Sequence, residues 1–327
     1  MNILVAGGAG YIGSVCVELL LEAGYNVAVV DNLQRGHRQA VSPEAQFFHG
    51  DIADEEFVGE ILRSFSPDVV MHFCALSLVG ESVEKPLLYY QNNVAAGMVL
   101  VRTMLAHDVR KIIFSSTAAV YGEPIETPIH EDHPKNPVNP YGRSKLMFEQ
   151  ILADLAASDG LRSISLRYFN AAGATDLHGE DHRPETHLIP LILEAAAGQR
   201  EHVTVYGTDY PTPDGSCIRD YIHVADLARA HILALEKLDA REGAESFNLG
   251  NGQGFSVLEV IAAAEEVIGR TIPVRYGARR AGDPAVLVAS SERIQRELGW
   301  KPQIPDIRAI IESAWQWKLR HPSGYED

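Results

Sequence analysis

"NILVAGGAGYIGS", residues 2–14, joins a short branched-apolar run to three glycines at fixed spacing, Gly7-x-x-Gly10-x-x-Gly13. The run reads as a buried strand and the amphipathic stretch 11–23 as a helix, so the glycines sit at a strand-turn-helix junction. A glycine pattern alone says little. Here a second apolar run, "NVAVVD", follows and is closed by Asp31, 18 residues after Gly13, which is the spacing of a dinucleotide-binding βαβ unit. Without side chains at Gly7 and Gly10 the backbone turns tightly and approaches a pyrophosphate at the positive end of the helix. Gly13 lets helix and strand pack closely.

The same rhythm continues outward. "AQFFHGDI", "DVVMHFCA", "RKIIFSS" and "RSISLRYFN" are short strand-like runs, separated by helical stretches at 54–65, 87–106 and 142–157. Strands near five residues alternating with longer helices predict an α/β fold, a doubly wound parallel sheet of the Rossmann type. Beyond Asn170 the chain turns to Gly-, Pro- and Asp-rich loops with helices at 187–197, 224–237 and 256–267. The expected division is a cofactor domain, 1–171, and a smaller mixed α/β substrate lobe, 172–327, with some late segments returning to the first domain.

At 327 residues the chain exceeds what one core usually fills, in keeping with two lobes. No apolar run reaches the length of a membrane span, and Met1 leads straight into the first strand, so a soluble cytoplasmic protein is expected. The net charge of -16 disfavours nucleic acid and anionic membranes as partners. Cys16, Cys74 and Cys217 form no CxxC pair, and the thirteen histidines include no HExxH and no compact His/Asp cluster, so no metal is expected.

Asp31 at a strand end suits the ribose hydroxyls of the cofactor, and its charge opposes an extra phosphate. NAD is therefore expected, although Arg35 and Arg38 lie close by. Asp51, in "GDI", suits the adenine amino group. Tyr141 and Lys145 lie one helical turn apart. Such pairs are common on helices. What singles this one out is "FSSTAAVYG", 114–122, a strand ending in hydroxyl residues where the ligand crevice of such a sheet opens. Thr117 is placed to bond both a substrate hydroxyl and Tyr141. A phenol titrates near ~10, so it serves as a base at neutral pH only where cations favour the phenolate, and Lys145 supplies one.

The glycine turn, Thr117 and Tyr141-x-x-x-Lys145 together resemble the extended short-chain dehydrogenase/reductase family. More narrowly, "HFCALSLVGES", "YYQNNV", "SSTAAVYGE", "NPYGRSK", "LRYFNAAGA", "YGTDYPTPDGSCIRDYIHV" and "RRAGDP" resemble the UDP-glucose 4-epimerases, and the likeness runs from residue 2 to the closing "HPSGYED". The resemblance implies that Thr117 and Tyr141 serve proton transfer, while Lys145 holds the cofactor ribose and lowers the pKa of the tyrosine. It implies NAD contacts at Gly7, Gly10, Tyr11, Ile12, Gly13, Asp31, Asn32, Asp51, Ile52, Phe73, Asn92, Tyr141, Lys145 and Tyr168. It implies UDP-sugar contacts at Thr117, Tyr141, Asn170, His187, Leu188, Thr204, Tyr206, Arg219, Arg280, Asp283 and Leu287. Arg219 and Arg280 suit a diphosphate by bidentate contact, or else pair with Asp220 or Asp283. A homodimer is also implied, with 87–106 and 142–157 as the candidate contact helices.

Three positions depart from the pattern. Ser77 stands where some relatives carry lysine, and Thr186-His187 where others carry Asn-Asn. Leu287 occupies a position that sets room at the sugar C2, and its branching suggests hexoses without an N-acetyl group. The implied reaction interconverts UDP-glucose and UDP-galactose by oxidation and re-reduction at C4 with NAD. The alternatives are 4-epimerisation of another UDP-sugar, N-acetylhexosamine or pentose, and a sugar-nucleotide 4,6-dehydratase. The dehydratase lacks an acid after Thr117, where Ala118 and Ala119 follow. A non-catalytic NAD-binding protein and a dehydrogenase that releases NADH are the remaining readings.

Overall fold

Strand β1 (Asn2–Ala6) sends Ile3 and Val5 into one apolar layer and Leu4 and Ala6 into another, all fully buried. Alternation with both faces covered is what a central parallel strand requires. The computed structural model describes residues 1–280 and 283–326. The strands after β1 are β2 (Asn26–Asp31), β3 (Gln46–His49), β4 (Val69–His72), β5 (Lys111–Thr117), β6 (Arg162–Tyr168), β7 (Asn170–Ala172), β8 (Val203–Tyr206), β9 (Ile218–His223), β10 (Ala244–Leu249), β11 (Gly254–Ser256), β12 (Val274–Gly277) and β13 (Val286–Leu287). The helices are α1 (Tyr11–Glu22), α2 (Glu55–Phe65), α3 (Val79–Glu84), α4 (Pro86–Tyr90), α5 (Ala96–Ala106), α6 (Pro140–Asp159), α7 (Leu188–Ala196), α8 (Val224–Leu238), α9 (Val257–Ile268), α10 (Glu292–Leu298) and α11 (Ile307–Arg320).

Seven strands form one parallel sheet in the order β10-β6-β5-β4-β1-β2-β3. Residues of α1 and α8 fill the layer on one face, and those of α2, α5 and α6 the layer on the other, so the expected doubly wound sheet is present. The late return to this sheet is made by β10, which pairs with β6 in register Ala244↔Ser163 to Leu249↔Tyr168. The remaining strands make two small sheets, one of β7, β9, β11 and β13 and one of β8 with β12, packed with α7, α9 and α11 around a separate apolar cluster.

One expected element is broken. Residues 87–106 are not a single helix: α4 and α5 are separated by a π-helical turn, Gln91–Ala95. Within it Asn93 turns its amide inward, accepting from the Leu76 amide at 2.9 Å and donating to the Leu76 carbonyl at 3.0 Å and the Ser144 hydroxyl at 3.0 Å. The turn thus fastens the segment after β4 to α6. π turns of this kind concentrate at functional sites. Among the described residues no helix is long and apolar enough to cross a membrane.

Candidate active site

All strands of a parallel sheet end on one edge, and the crevice opens where the winding reverses. From β1 the chain proceeds outward to β2 and β3 on one side, then crosses to β4 on the other, so the reversal lies between β1 and β4. Gly7, Asp31, Phe73, Thr117 and Tyr168 stand at or just beyond the carboxyl ends of β1, β2, β4, β5 and β6.

The glycines divide the work as their surroundings dictate. A methyl on Gly7 would lie 2.6 Å from the Cys74 amide nitrogen, and Gly7 has φ +87°, a conformation that suits glycine. A methyl on Gly13 would lie 2.2 Å from the Gly7 carbonyl oxygen, which is the close helix-strand approach expected. At Gly10 the nearest atom is that same oxygen, at 3.5 Å, so the neighbouring protein atoms do not demand a glycine there.

Asp31 is 8% exposed, and its carboxylate accepts from the Ala9 amide at 3.0 Å and the Leu33 amide at 2.9 Å. Burial raises its pKa, with those two amides pulling it down. Asn32 donates to Asp51 at 2.8 Å, joining the ends of β2 and β3. Arg35 is engaged by Glu81 at 3.0 Å, and Arg38 lies over the Phe47 ring at 4.6 Å. Ile52 is buried, and Asn92 donates to Asn93 at 3.0 Å. Several side chains expected at the cofactor also have partners within the fold. Tyr11 donates to the Gly173 carbonyl at 2.6 Å, the Phe73 ring lies 4.8 Å from His231, and the buried Tyr168 hydroxyl bonds His231. A backbone cradle at a helix N-terminus, with a shielded carboxylate one strand away, fits a dinucleotide lacking a 2′-phosphate.

Helix α6 starts where Asn139 accepts from the Gly142 amide at 2.8 Å, with Pro140 in its first turn. That cap sets Tyr141 half-buried against Thr117, whose hydrogen bond opposes the rise that burial imposes on the phenol pKa. Lys145 is 2% exposed and donates to the Ser115 carbonyl at 2.7 Å, its ammonium 4.7 Å from the centre of the Phe114 ring. Burial pushes its pKa down to about 7, against the opposing pull of Cys74 and Glu149. One of the three N–H donors of the Lys145 ammonium is thus engaged by β5, and the shift of Tyr141 is shaped by burial and Thr117.

Sequence reasoning missed what stands behind this group. Glu149, one turn beyond Lys145, takes two bonds from Arg167, Nε at 2.9 Å and Nη2 at 2.6 Å, and one from the Ser116 hydroxyl. Arg167 also donates to the Tyr121 hydroxyl at 2.8 Å, which donates to Asn248 at 2.7 Å. The only linear signal is the i, i+4 repeat of Lys145 and Glu149.

The expected substrate residues other than Thr117 and Tyr141 lie outside the seven-stranded sheet. Asn170 on β7 donates to the Asp220 carbonyl at 2.8 Å, and Thr204 and Tyr206 lie on β8. Arg219 donates to the Ile218 and Pro284 carbonyls, both at 2.9 Å, and faces Asp283 at 3.7 Å, so the ion pair named from sequence is formed. Arg280 is exposed and stacks over Tyr206 at 3.9 Å. Leu287 on β13 packs with Val120, Tyr121 and Ile129 beyond the end of β5. Leu188 opens α7. Ser77 is exposed.

His187, at the cap of α7, turns its ring away to Glu180 at 2.7 Å and Glu185 at 3.0 Å. With His182 these side chains make a compact His/Glu group. It is neither an HExxH nor a His/Asp cluster, the two patterns absent from the sequence, and its spacing is Glu-x-His-x-x-Glu-x-His.

Residues 3–250 match the model of the NAD dependent epimerase/dehydratase family. A UDP-glucose 4-epimerase of Halalkalibacterium halodurans is 54% identical over 327 residues, covering 99% of this chain and 98% of that protein. The structure of UDP-glucose 4-epimerase from Brucella ovis, solved with NAD, superposes with a TM-score of 0.94 at 47% identity, covering 97% of this chain and 98% of the other. The Bifidobacterium longum enzyme, solved with NAD+ and UDP, gives 0.95 at 42% identity, covering 99% and 100%. A sheet-edge glycine cradle, a capped Tyr-x-x-x-Lys helix and these full-length likenesses agree: the chain belongs to the NAD dependent epimerase/dehydratase family, on its UDP-glucose 4-epimerase branch.

Proposed function

We propose that this chain interconverts UDP-glucose and UDP-galactose as a cytoplasmic homodimer, with NAD retained through the cycle. The observation that carries the reading is the meeting of Thr117, Tyr141 and Lys145 with the glycine turn and Asp31 at one edge of the sheet. NAD, when bound there, supplies a hydride acceptor that returns the hydride, so the reaction has no net redox. Tyr141 takes the proton of the sugar 4-hydroxyl through or beside Thr117 and returns it to the C4 oxygen once the flat 4-keto sugar has turned its other face to the cofactor, so that C4 is inverted. Lys145 binds the cofactor ribose, and its charge favours the phenolate. Arg219 and Arg280 hold the diphosphate, the fixed end about which the sugar turns, while Leu287 limits room at C2.

Two measurements test this. Tyr141→Phe should keep its fold and its NAD while turnover falls on the order of 10²- to 10⁴-fold, the usual worth of a positioned acid-base group; turnover near that of the parent would remove the base assignment. UDP-galactose and UDP-N-acetylgalactosamine, incubated separately and the products resolved, should give conversion chiefly of the former. For the dimer, Val79, Val83, Leu87, Met98 and Met147 are exposed apolar residues on α3, α4, α5 and α6. Leu87→Asp should shift sedimentation toward monomer.

A further inference from the structure

We propose that Glu180, His182, Glu185 and His187 bind one divalent transition-metal ion of the zinc class, which staples the loop before α7. Each offers one donor atom, and the four donors lie within 4.8 Å of one another. The His182 Nδ1 is 3.0 Å from Glu180 Oε1 and 3.8 Å from Glu185 Oε2, and the His187 Nδ1 is 2.7 Å and 3.0 Å from Oε1 of the same two carboxylates. Bonds of about 2.0–2.1 Å in a tetrahedron place donor atoms roughly 3.3–3.4 Å apart. The observed separations straddle that edge, so small movements close the site.

Charge favours an ion at the centre. The side chains of Glu180 and Glu185 are each 7% exposed, and two shielded carboxylates this close repel. A dication offsets both and satisfies both imidazoles. Two nitrogen donors select a zinc-class metal over calcium or magnesium, and four protein ligands close a structural site, leaving no position for chemistry. Glu185 is further held in place by the Thr186 and His187 amides, which donate to its Oε1 at 2.6 and 2.7 Å.

The location gives the ion its purpose. Residues 173–187 contain no helix or strand, yet they join β7 to α7. Their other anchors include Tyr11, which donates to the Gly173 carbonyl, Thr175, which donates to Glu18 at 2.7 Å, Arg35, which donates to the Arg183 carbonyl at 2.9 Å, and Tyr325, whose amide donates to Asp181 at 3.0 Å. A metal fixes the last residues before Leu188 and holds the His187 ring against Glu180 and Glu185.

The test uses untagged protein purified without chelators. Metal analysis should find about one zinc-class ion per chain, and Co²⁺ added after chelator treatment should give tetrahedral d–d absorption. Glu180→Gln, close to isosteric, and His182→Ala should lose that signal, whereas His202→Ala, outside the cluster, should keep it. Chelation should also lower the melting temperature of the parent and leave that of Glu180→Gln unchanged. Absence of Co²⁺ uptake by the parent at millimolar metal, or equal uptake by Glu180→Gln, overturns the proposal. Should His182→Ala not fold, Glu180→Gln alone decides.

Discussion

Gly13 and Gly10 look alike in the sequence and differ in what surrounds them. A methyl at Gly13 would meet the Gly7 carbonyl oxygen at 2.2 Å, and a backbone atom cannot yield as a side chain does. Gly13→Ala should therefore push α1 off β1, lowering stability by about 1–3 kcal/mol and releasing cofactor as a consequence. At Gly10 the same atom is 3.5 Å away, so Gly10→Ala should leave the denaturation midpoint close to that of the parent. The methyl would stand where a pyrophosphate approaches the helix end, and NAD content should fall all the same. Denaturant titration beside NAD quantification of the two variants separates the roles; equal losses of stability would show that both glycines serve only packing.

Helix α6 carries two charges of opposite sign on successive turns, Lys145 and Glu149, and the sheet answers each. Lys145 is met by the Ser115 carbonyl, and Glu149 by Ser116 and Arg167. The side chains of Arg167 and Glu149 are 3% and 7% exposed, so removing one strands the other without water. Glu149→Gln should cost about 3–5 kcal/mol, while Glu149→Leu with Arg167→Met should recover most of that loss, as replacing a whole buried pair commonly does. If the double variant proved as unstable as the single one, the network's worth would lie in its bonds to Ser116 and Tyr121.

Across the whole molecule, acid sensitivity follows from histidines buried neutral. Burial drives the pKa of His72 down to about 3 and those of His223 and His231 to about 4. Unfolded histidine titrates near ~6.5, so between roughly pH 4 and 6.5 the unfolded chain holds protons that the folded chain refuses, and stability falls as pH falls. Asp220 works against this. It accepts from the Asn251, Gly252 and Ala289 amides at 2.7, 3.0 and 3.1 Å, yet burial pushes its pKa up to about 7. In the same window it is protonated when folded and ionised when unfolded. With His178, also lowered to about 4 by burial, four histidines stand against Asp220 and a His187 whose pKa Glu180 raises, so the net effect is a loss of stability as the pH falls. Urea unfolding at pH 7, 6 and 5 should show that fall, and Asp220→Asn should steepen it. A flat profile would contradict the burial of these rings.

The order of residues is enough to specify the parallel sheet, the glycine turn, the acid at the end of β2 and the Tyr-Lys spacing on α6. Each is a local pattern: period two in a strand, period 3.6 in a helix, and backbone freedom at a turn are written within a few residues. Packing in three dimensions settles where Lys145 aims its ammonium, that 87–106 breaks at a π turn around Asn93, that Arg167 on β6 reaches Glu149 on α6, and that the His187 ring turns to Glu180. Those outcomes depend on what an element meets after packing. A buried donor must find an acceptor there, and the partner is chosen by proximity in space, which spacing along the chain does not encode.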